Sequence, residues 1–160
     1  MKGERTFDLL TRYKEQFHKA DVLCCKQNGV WQQYSSDDYI GYSYSFSYGL
    51  LELGITRGDK IITITNNRPE WNFVDMGIVM IGAVHVPVFS SLGTSDYQYI
   101  ISHSEAKLIL VSDRKIFKLV NAAMPETERS GPVYSFDEIE GVKNWKTILE
   151  SGKQNASKHG

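Results

Sequence analysis

The sequence predicts an α/β fold, a largely parallel sheet with helices on its faces. Three observations carry this. Short β-branched, apolar runs recur at KIITIT (60–65), AVHVPV (83–88) and KLILV (107–111). The segments between them open on helix-capping residues and close on glycine or a turn. Strands that alternate with helices in this way build βαβ units and a parallel sheet.

From the N-terminus, residues 5–20 read as a helix, because Phe7, Leu10, Tyr13 and Phe17 recur at helical spacing. Residues 24–33 read as two small strands joined at Asn28-Gly29, a turn signal. Ser35-Ser36-Asp37-Asp38 marks a helix start. The next stretch supports two readings. Tyr42, Tyr44, Phe46 and Tyr48 alternate with serine or glycine, a strand period. Yet Ile40, Tyr44, Ser47 and Leu51 share a helical face, and Gly54 stands where a helix would end in the left-handed conformation.

Arg57-Gly58-Asp59 is a turn into the 60–65 strand. Pro69 suits a first helical position and Glu70 the positive helix end, so a helix runs from there to about 81, ended by Gly82. After the 83–88 strand, Thr94-Ser95-Asp96 caps a helix to His103. The 107–111 strand, a helix over 116–124 stopped by Pro125, a short strand over 132–136 and a weak helix over 142–150 complete the order. Residues 1–150 are expected to form one α/β unit and 151–160 a polar, mobile tail.

Composition narrows the function. The net charge of −1 supplies no field for nucleic acid or an anionic membrane. The N-terminus lacks a signal-type apolar core, and the apolar stretch 73–89 is interrupted and too short to span a bilayer. The only cysteines, Cys24 and Cys25, are adjacent, a spacing at which bridging is difficult, so they are expected to be reduced in a cytoplasmic protein. His18, His85, His103 and His159 form no metal-ligand pattern. No dinucleotide fingerprint, Walker A loop or nucleophile elbow occurs. His85, between apolar residues, reads as a core histidine hydrogen-bonded to a neighbour. Trp71 and Phe73 read as core packing. Asn66-Asn67-Arg68 and Phe89-Ser90-Ser91 follow the ends of consecutive strands, where open α/β sheets bind ligands. Ordinary caps and turns explain the same residues.

One ordered set of elements is more specific. Leu53-Gly54-Ile55 with Gly58-Asp59-Lys60, Asn67-Arg68-Pro69-Glu70-Trp71, Gly82-Ala83-Val84 with Val86-Pro87, and Tyr99-Ile100-Ile101 with Ser104-Glu105-Ala106-Lys107 succeed one another across 49–113. This set resembles the N-terminal region of the adenylate-forming (AMP-binding) superfamily. Its wording is most similar to the long-chain fatty acyl-CoA ligase branch. The resemblance implies part of the N-terminal domain of an acyl-CoA synthetase-like fold, and a helix in the Tyr/Ser stretch. It implies a parent enzyme that uses ATP, Mg2+ and coenzyme A to convert a fatty acid to an acyl-adenylate and then a thioester.

The phosphate loop, adenine-contacting segment, ribose-binding aspartate, hinge and C-terminal lysine of that family have no counterpart in these 160 residues. No catalytic residue is therefore assigned. The expectation is an N-terminal fragment, inactive alone, with uncovered apolar surface that favours self-association. The resemblance places Phe89, Ser90, Ser91 and Arg114 in a coenzyme A neighbourhood, with serines where some relatives have glycines. The rival expectations are a stand-alone α/β binding or regulatory module, and the same superfamily acting on another carboxylic acid.

Overall fold

The computed structural model describes residues 5–27, 29–129 and 131–159. Asn28, half of the expected hairpin turn, lies outside them. Helix α1 (Asp8–Gln16) precedes an antiparallel ribbon of β1 (Leu23–Gln27) and β2 (Val30–Tyr34), with Cys24 opposite Gln33 and Lys26 opposite Trp31. Next come α2 (Ser36–Glu52), β3 (Lys60–Ile64), α3 (Pro69–Met80), β4 (Val84–Val88), α4 (Thr94–Ser104), β5 (Leu108–Val111) and α5 (Arg114–Ala123). A 3-10 turn (Glu126–Glu128), β6 (Val133–Ser135), β7 (Lys143–Asn144), α6 (Lys146–Gln154) and α7 (Ala156–His159) complete the order. Helix α1 is shorter than the periodicity of 5–20 suggests.

The main sheet is wholly parallel, in the order β4-β3-β5-β6-β7. Alternation along the strands divides it into two cores. Ile61, Leu108, Leu110 and Tyr134 face α2, α3 and α6, where they meet Phe46, Leu50, Phe73, Ile78 and Ile148. Ile62, Ile64, Ile109 and Val111 face α4 and α5, where they meet Tyr97, Ile101, Ile116 and Val120. Phe73 is fully buried, as expected of core packing.

Helix α2 settles the Tyr/Ser stretch. Its start is a reciprocal cap: the Ser35 hydroxyl accepts from the Asp38 amide at 3.1 Å, and the Asp38 carboxylate accepts from the Ser35 amide at 2.8 Å. Its serines do not need strand partners. Ser43 donates to the Tyr39 carbonyl at 2.8 Å and Ser45 to the Gly41 carbonyl at 2.7 Å. At the other end, Gly54 has φ +78°, and Ile55 N–H returns to the Leu50 carbonyl at 3.0 Å.

The C-terminal region departs from expectation. Residues 143–144, placed in a helix by the sequence, pair with β6 as the edge strand β7. The helix begins at Lys146 and continues to Gln154, and α7 succeeds it, so helix occupies the segment expected as a polar tail. Packing is the cause. Gly152 is buried where α6 crosses α2, and the His159 ring stacks on Tyr48 and reaches Glu52 Oε1 at 2.9 Å.

Candidate functional site

The chain leaves β3 towards α3 on one face of the sheet and leaves β4 towards α4 on the other. Both loops lie at the carboxyl edge of the parallel sheet, the edge at which open α/β sheets bind ligands. Here the two polar loops meet: the Ser90 hydroxyl donates to Asn66 Oδ1 at 2.8 Å. Beneath them, the Tyr97 hydroxyl donates to the Phe89 carbonyl at 3.1 Å and fixes the β4 loop to α4. A cavity of about 980 Å³ opens beside this contact, between Asn66, Asn67, Trp71, Ser90 and Ser91 on one side and Leu23, Cys24 and Cys25 of β1 on another. Trp71 is half-buried, so it serves both packing and the cavity wall. Phe89 is 81% exposed, an unusual state for a ring of that size.

Arg114 stands apart. It opens α5 after β5, on the same edge of the sheet, and is exposed. It is not among the residues that line this cavity. The structure thus brings Phe89, Ser90 and Ser91 together with Asn66 and Asn67, and leaves Arg114 outside.

Arg68 closes the floor between this cavity and a second of about 560 Å³. Its guanidinium forks onto Glu70 at 3.1 and 3.2 Å, reaches Asp137 at 3.1 Å and lies 4.8 Å over the Phe136 ring. Burial disfavours its charge, but the two carboxylates outweigh burial and its pKa is raised. Its donors are therefore committed to protein groups, the Glu70 and Asp137 carboxylates and the Ser112 carbonyl. Tyr34, on the wall of the second cavity, has its hydroxyl pushed up to about 12 by burial and then by the Glu70 charge. At neutral pH it is a donor and acceptor, not a phenolate.

His85 sits at the side of this arrangement. Its Nδ1 lies 2.6 Å from Asp75 Oδ1 and its Nε2 lies 2.8 Å from Thr63 Oγ1. Both nitrogens have partners in either protonation state, because Thr63 can donate or accept. Thr63 is 1% exposed and unreachable from outside. The core-histidine reading is the one observed.

Sequence pattern located the crevice but missed three parts of it. The ribbon β1–β2 supplies the cysteine wall from far along the chain, and nothing local to Cys24 indicates that. Asp137 and Asp75, the partners of Arg68 and His85, are likewise brought in by the fold.

Asn66, Ser90, Ser91 and Trp71 give the crevice amide, hydroxyl and aromatic groups, the mixed lining of a small-molecule site. Among the described residues no group of three or more His, Cys, Asp and Glu side chains could hold a metal ion. Among the described residues no helix is long and apolar enough to cross a membrane.

Fatty acyl-CoA synthetase A of Dictyostelium discoideum is 30% identical over 122 residues, which cover 69% of this chain and 18% of that protein. A crotonobetaine/carnitine–CoA ligase of Escherichia fergusonii is 33% identical over 98 residues, 59% of this chain and 18% of that protein. The crystal structure of an acyl-CoA synthetase from Brucella canis superposes with a TM-score of 0.73 at 20% identity, covering 93% of this chain and 28% of the other. That likeness bears on the fold. The chain therefore spans less than a fifth of the length of these two curated relatives. A model of the family described as AMP-binding enzyme matches residues 11–159, which takes in the ribbon, both cores and the crevice, and the chain belongs to that family.

Proposed function

We propose that this chain is the N-terminal α/β portion of a fatty acid–CoA ligase and that its crevice receives the adenine nucleotide end of coenzyme A. The observation that carries the reading is the Asn66–Ser90 contact at the carboxyl edge of β3 and β4, with Trp71 beside it. Ligands of open α/β sheets bind at such an edge. The fatty acid assignment draws on the Dictyostelium relative. In the parent enzyme ATP would activate the carboxylate and the coenzyme thiol would take up the acyl group. This chain's part is to bind and orient, because its sequence carries no phosphate loop. The chain acts as one subdomain that includes α6 and α7, in a cytoplasmic enzyme.

Titration calorimetry with coenzyme A, dephospho-coenzyme A and adenosine tests this on the chain itself. Binding of coenzyme A that weakens about tenfold in Asn66→Ala, the loss of one or two hydrogen bonds, is expected. No binding of any of the three would overturn the crevice assignment. ATP-dependent thioester formation by these 160 residues would overturn the binding-only role.

A second reading has its own support. The carnitine-type relative is slightly more identical over its shorter match, and its name specifies a different acid. Pyrophosphate exchange by a longer product of the same gene, with fatty, aryl and small acids, separates the two readings. Exchange with small acids alone would remove the fatty acid assignment.

A further inference from the structure

The proposed function gives no part to His85, which stands on β4 behind the Trp71 wall of the crevice. Two neighbouring elements close around its ring. Trp71 and Asp75 are four residues apart on α3 and so share one face of that helix. The Trp71 ring lies 5.3 Å from the imidazole, centroid to centroid, at a tilt of 42°. Asp75 Oδ1 is 2.6 Å from Nδ1, and Thr63 Oγ1 of β3 is 2.8 Å from Nε2. The His85 side chain is 6% exposed and that of Asp75 28%, so the carboxylate gives a proton its way in.

The titratable groups around this cluster come from three elements. Asp75 belongs to α3. Tyr39 of α2 lies near Asp75, and its hydroxyl is pushed up to about 12, first by burial and then by the Asp75 charge, so it is neutral when a histidine titrates. Strand β1 packs on α3 with Cys25 half-buried. Strand β3 contributes Thr63, which carries no charge in either state.

An ionised carboxylate only accepts hydrogen bonds. The neutral ring therefore carries its hydrogen on Nδ1, and Nε2 accepts from the Thr63 hydroxyl. A second proton goes to Nε2. Nε2–H then donates to Thr63 Oγ1, and the Thr63 O–H turns away. Both hydrogen bonds survive this change; the charge is new. A cation now stands against the Trp71 ring, and an aromatic ring attracts a cation at this distance.

We propose that His85 is a proton switch for the crevice: proton uptake at Nε2 holds Trp71, which lines the cavity, more tightly against β4. The switch does not rest on what the crevice binds. Any ligand that leans on Trp71 meets a different wall on the two sides of the titration.

Nitrogen-15 NMR of the whole chain tests this between pH 5 and 8, the range in which imidazoles titrate. Three tryptophans give three indole N–H signals, and Trp71→Phe and His85→Gln assign the two residues that matter. The Trp71 indole signal is expected to move through one step that coincides with the step of the His85 ring nitrogens. The signals of Trp31 and Trp145 should stay flat over the same window. Nδ1 should read as protonated on both sides of the step, and Nε2 on the acid side only. The Trp71 step should vanish in His85→Gln, which can hydrogen-bond but takes up no proton. In Asp75→Asn both steps should move together to lower pH, because a neighbouring anion is gone. The coincidence is read in the unsubstituted chain, so it stands even if a variant fails to fold. A His85 ring that does not titrate in this range overturns the switch. So does a Trp71 signal that stays flat while His85 titrates, or a Trp71 step that persists in His85→Gln.

Discussion

Arg68 concentrates more of this fold's electrostatics than any neighbour in the crevice. It ties the exit of β3 to Glu70 at the start of α3 and to Asp137 after β6. The Glu70 side chain is 11% exposed and Arg68 is its ion-pair partner. Removing one member of a buried pair strands the other, which costs about 3 kcal/mol or more. Arg68→Leu is therefore expected to lower unfolding stability by about 3 kcal/mol in urea titrations. Arg68→Leu combined with Glu70→Leu should recover part of the loss, because no buried uncompensated charge remains and Asp137 is solvent-exposed. Asp113 offers a milder case with a pH signature. Partial burial works against its charge, but bonds from Ser112 Oγ, the Ile116 amide and the Lys115 amide hold its carboxyl below the ordinary range. A depressed folded value means that its stabilisation is complete above about pH 4, the unfolded value, and is lost as pH falls through the folded one. Asp113→Asn keeps the cap but does not titrate. The stability gap between the two proteins should close on acidification, and a gap that stays constant to low pH would refute the assignment.

At the scale of elements, glycine and serine decide how close the helices come. A Cβ on Gly152 would strike the Ser45 carbonyl and the Gly49 amide of α2, both backbone groups that cannot turn aside. Gly41, within α2, faces open space. Gly152→Ala should accordingly cost about 3 kcal/mol through overpacking, whereas Gly41→Ala should raise stability by about 0.5–1 kcal/mol through helix propensity. Opposite signs in parallel melts are the diagnostic; two stabilising changes would mean that α2 and α6 do not meet here. This contact explains why the Tyr/Ser stretch was hard to read. Its small residues report helix–helix approach, yet their alternation with aromatics has the period of a strand. The strands were legible because β-branched runs such as 60–65 need no partner to be recognised. The crevice loops were legible because they follow those strands directly. Strand β7 was not: a two-residue edge pairing has no pattern of its own, and it exists only because β6 offers an unpaired side. The helices of 151–159 were hidden for a similar reason, since a polar segment shows no apolar stripe when its anchor is a glycine against a backbone.

For the molecule as a whole, the question is whether two cores behave as one. Each central strand alternates between them: Ile61 and Leu110 point to the α2–α3–α6 side, Ile62 and Ile109 to the α4–α5 side. No strand can leave the sheet without emptying both. Unfolding should therefore be a single transition, as is usual for chains of this size. Ile109→Ala tests this, because it opens a cavity on the α4–α5 side only and should cost about 3 kcal/mol. Trp145 reports the opposite core, where it is 4% exposed and packs against Phe136 and Phe46. If the cores are coupled through the strands, the fluorescence of Trp145, read with Trp31 and Trp71 replaced by phenylalanine, and far-UV circular dichroism must shift together in the variant. If fluorescence keeps its midpoint while circular dichroism moves, the cores unfold separately. The crevice would then rest on half a fold, because the β3 and β4 loops are held from opposite faces: Asn66 leads into α3 and one core, and Ser90 leads into α4 and the other. Their 2.8 Å contact exists only while both faces are in place, which makes the proposed coenzyme binding and global stability parts of one measurement.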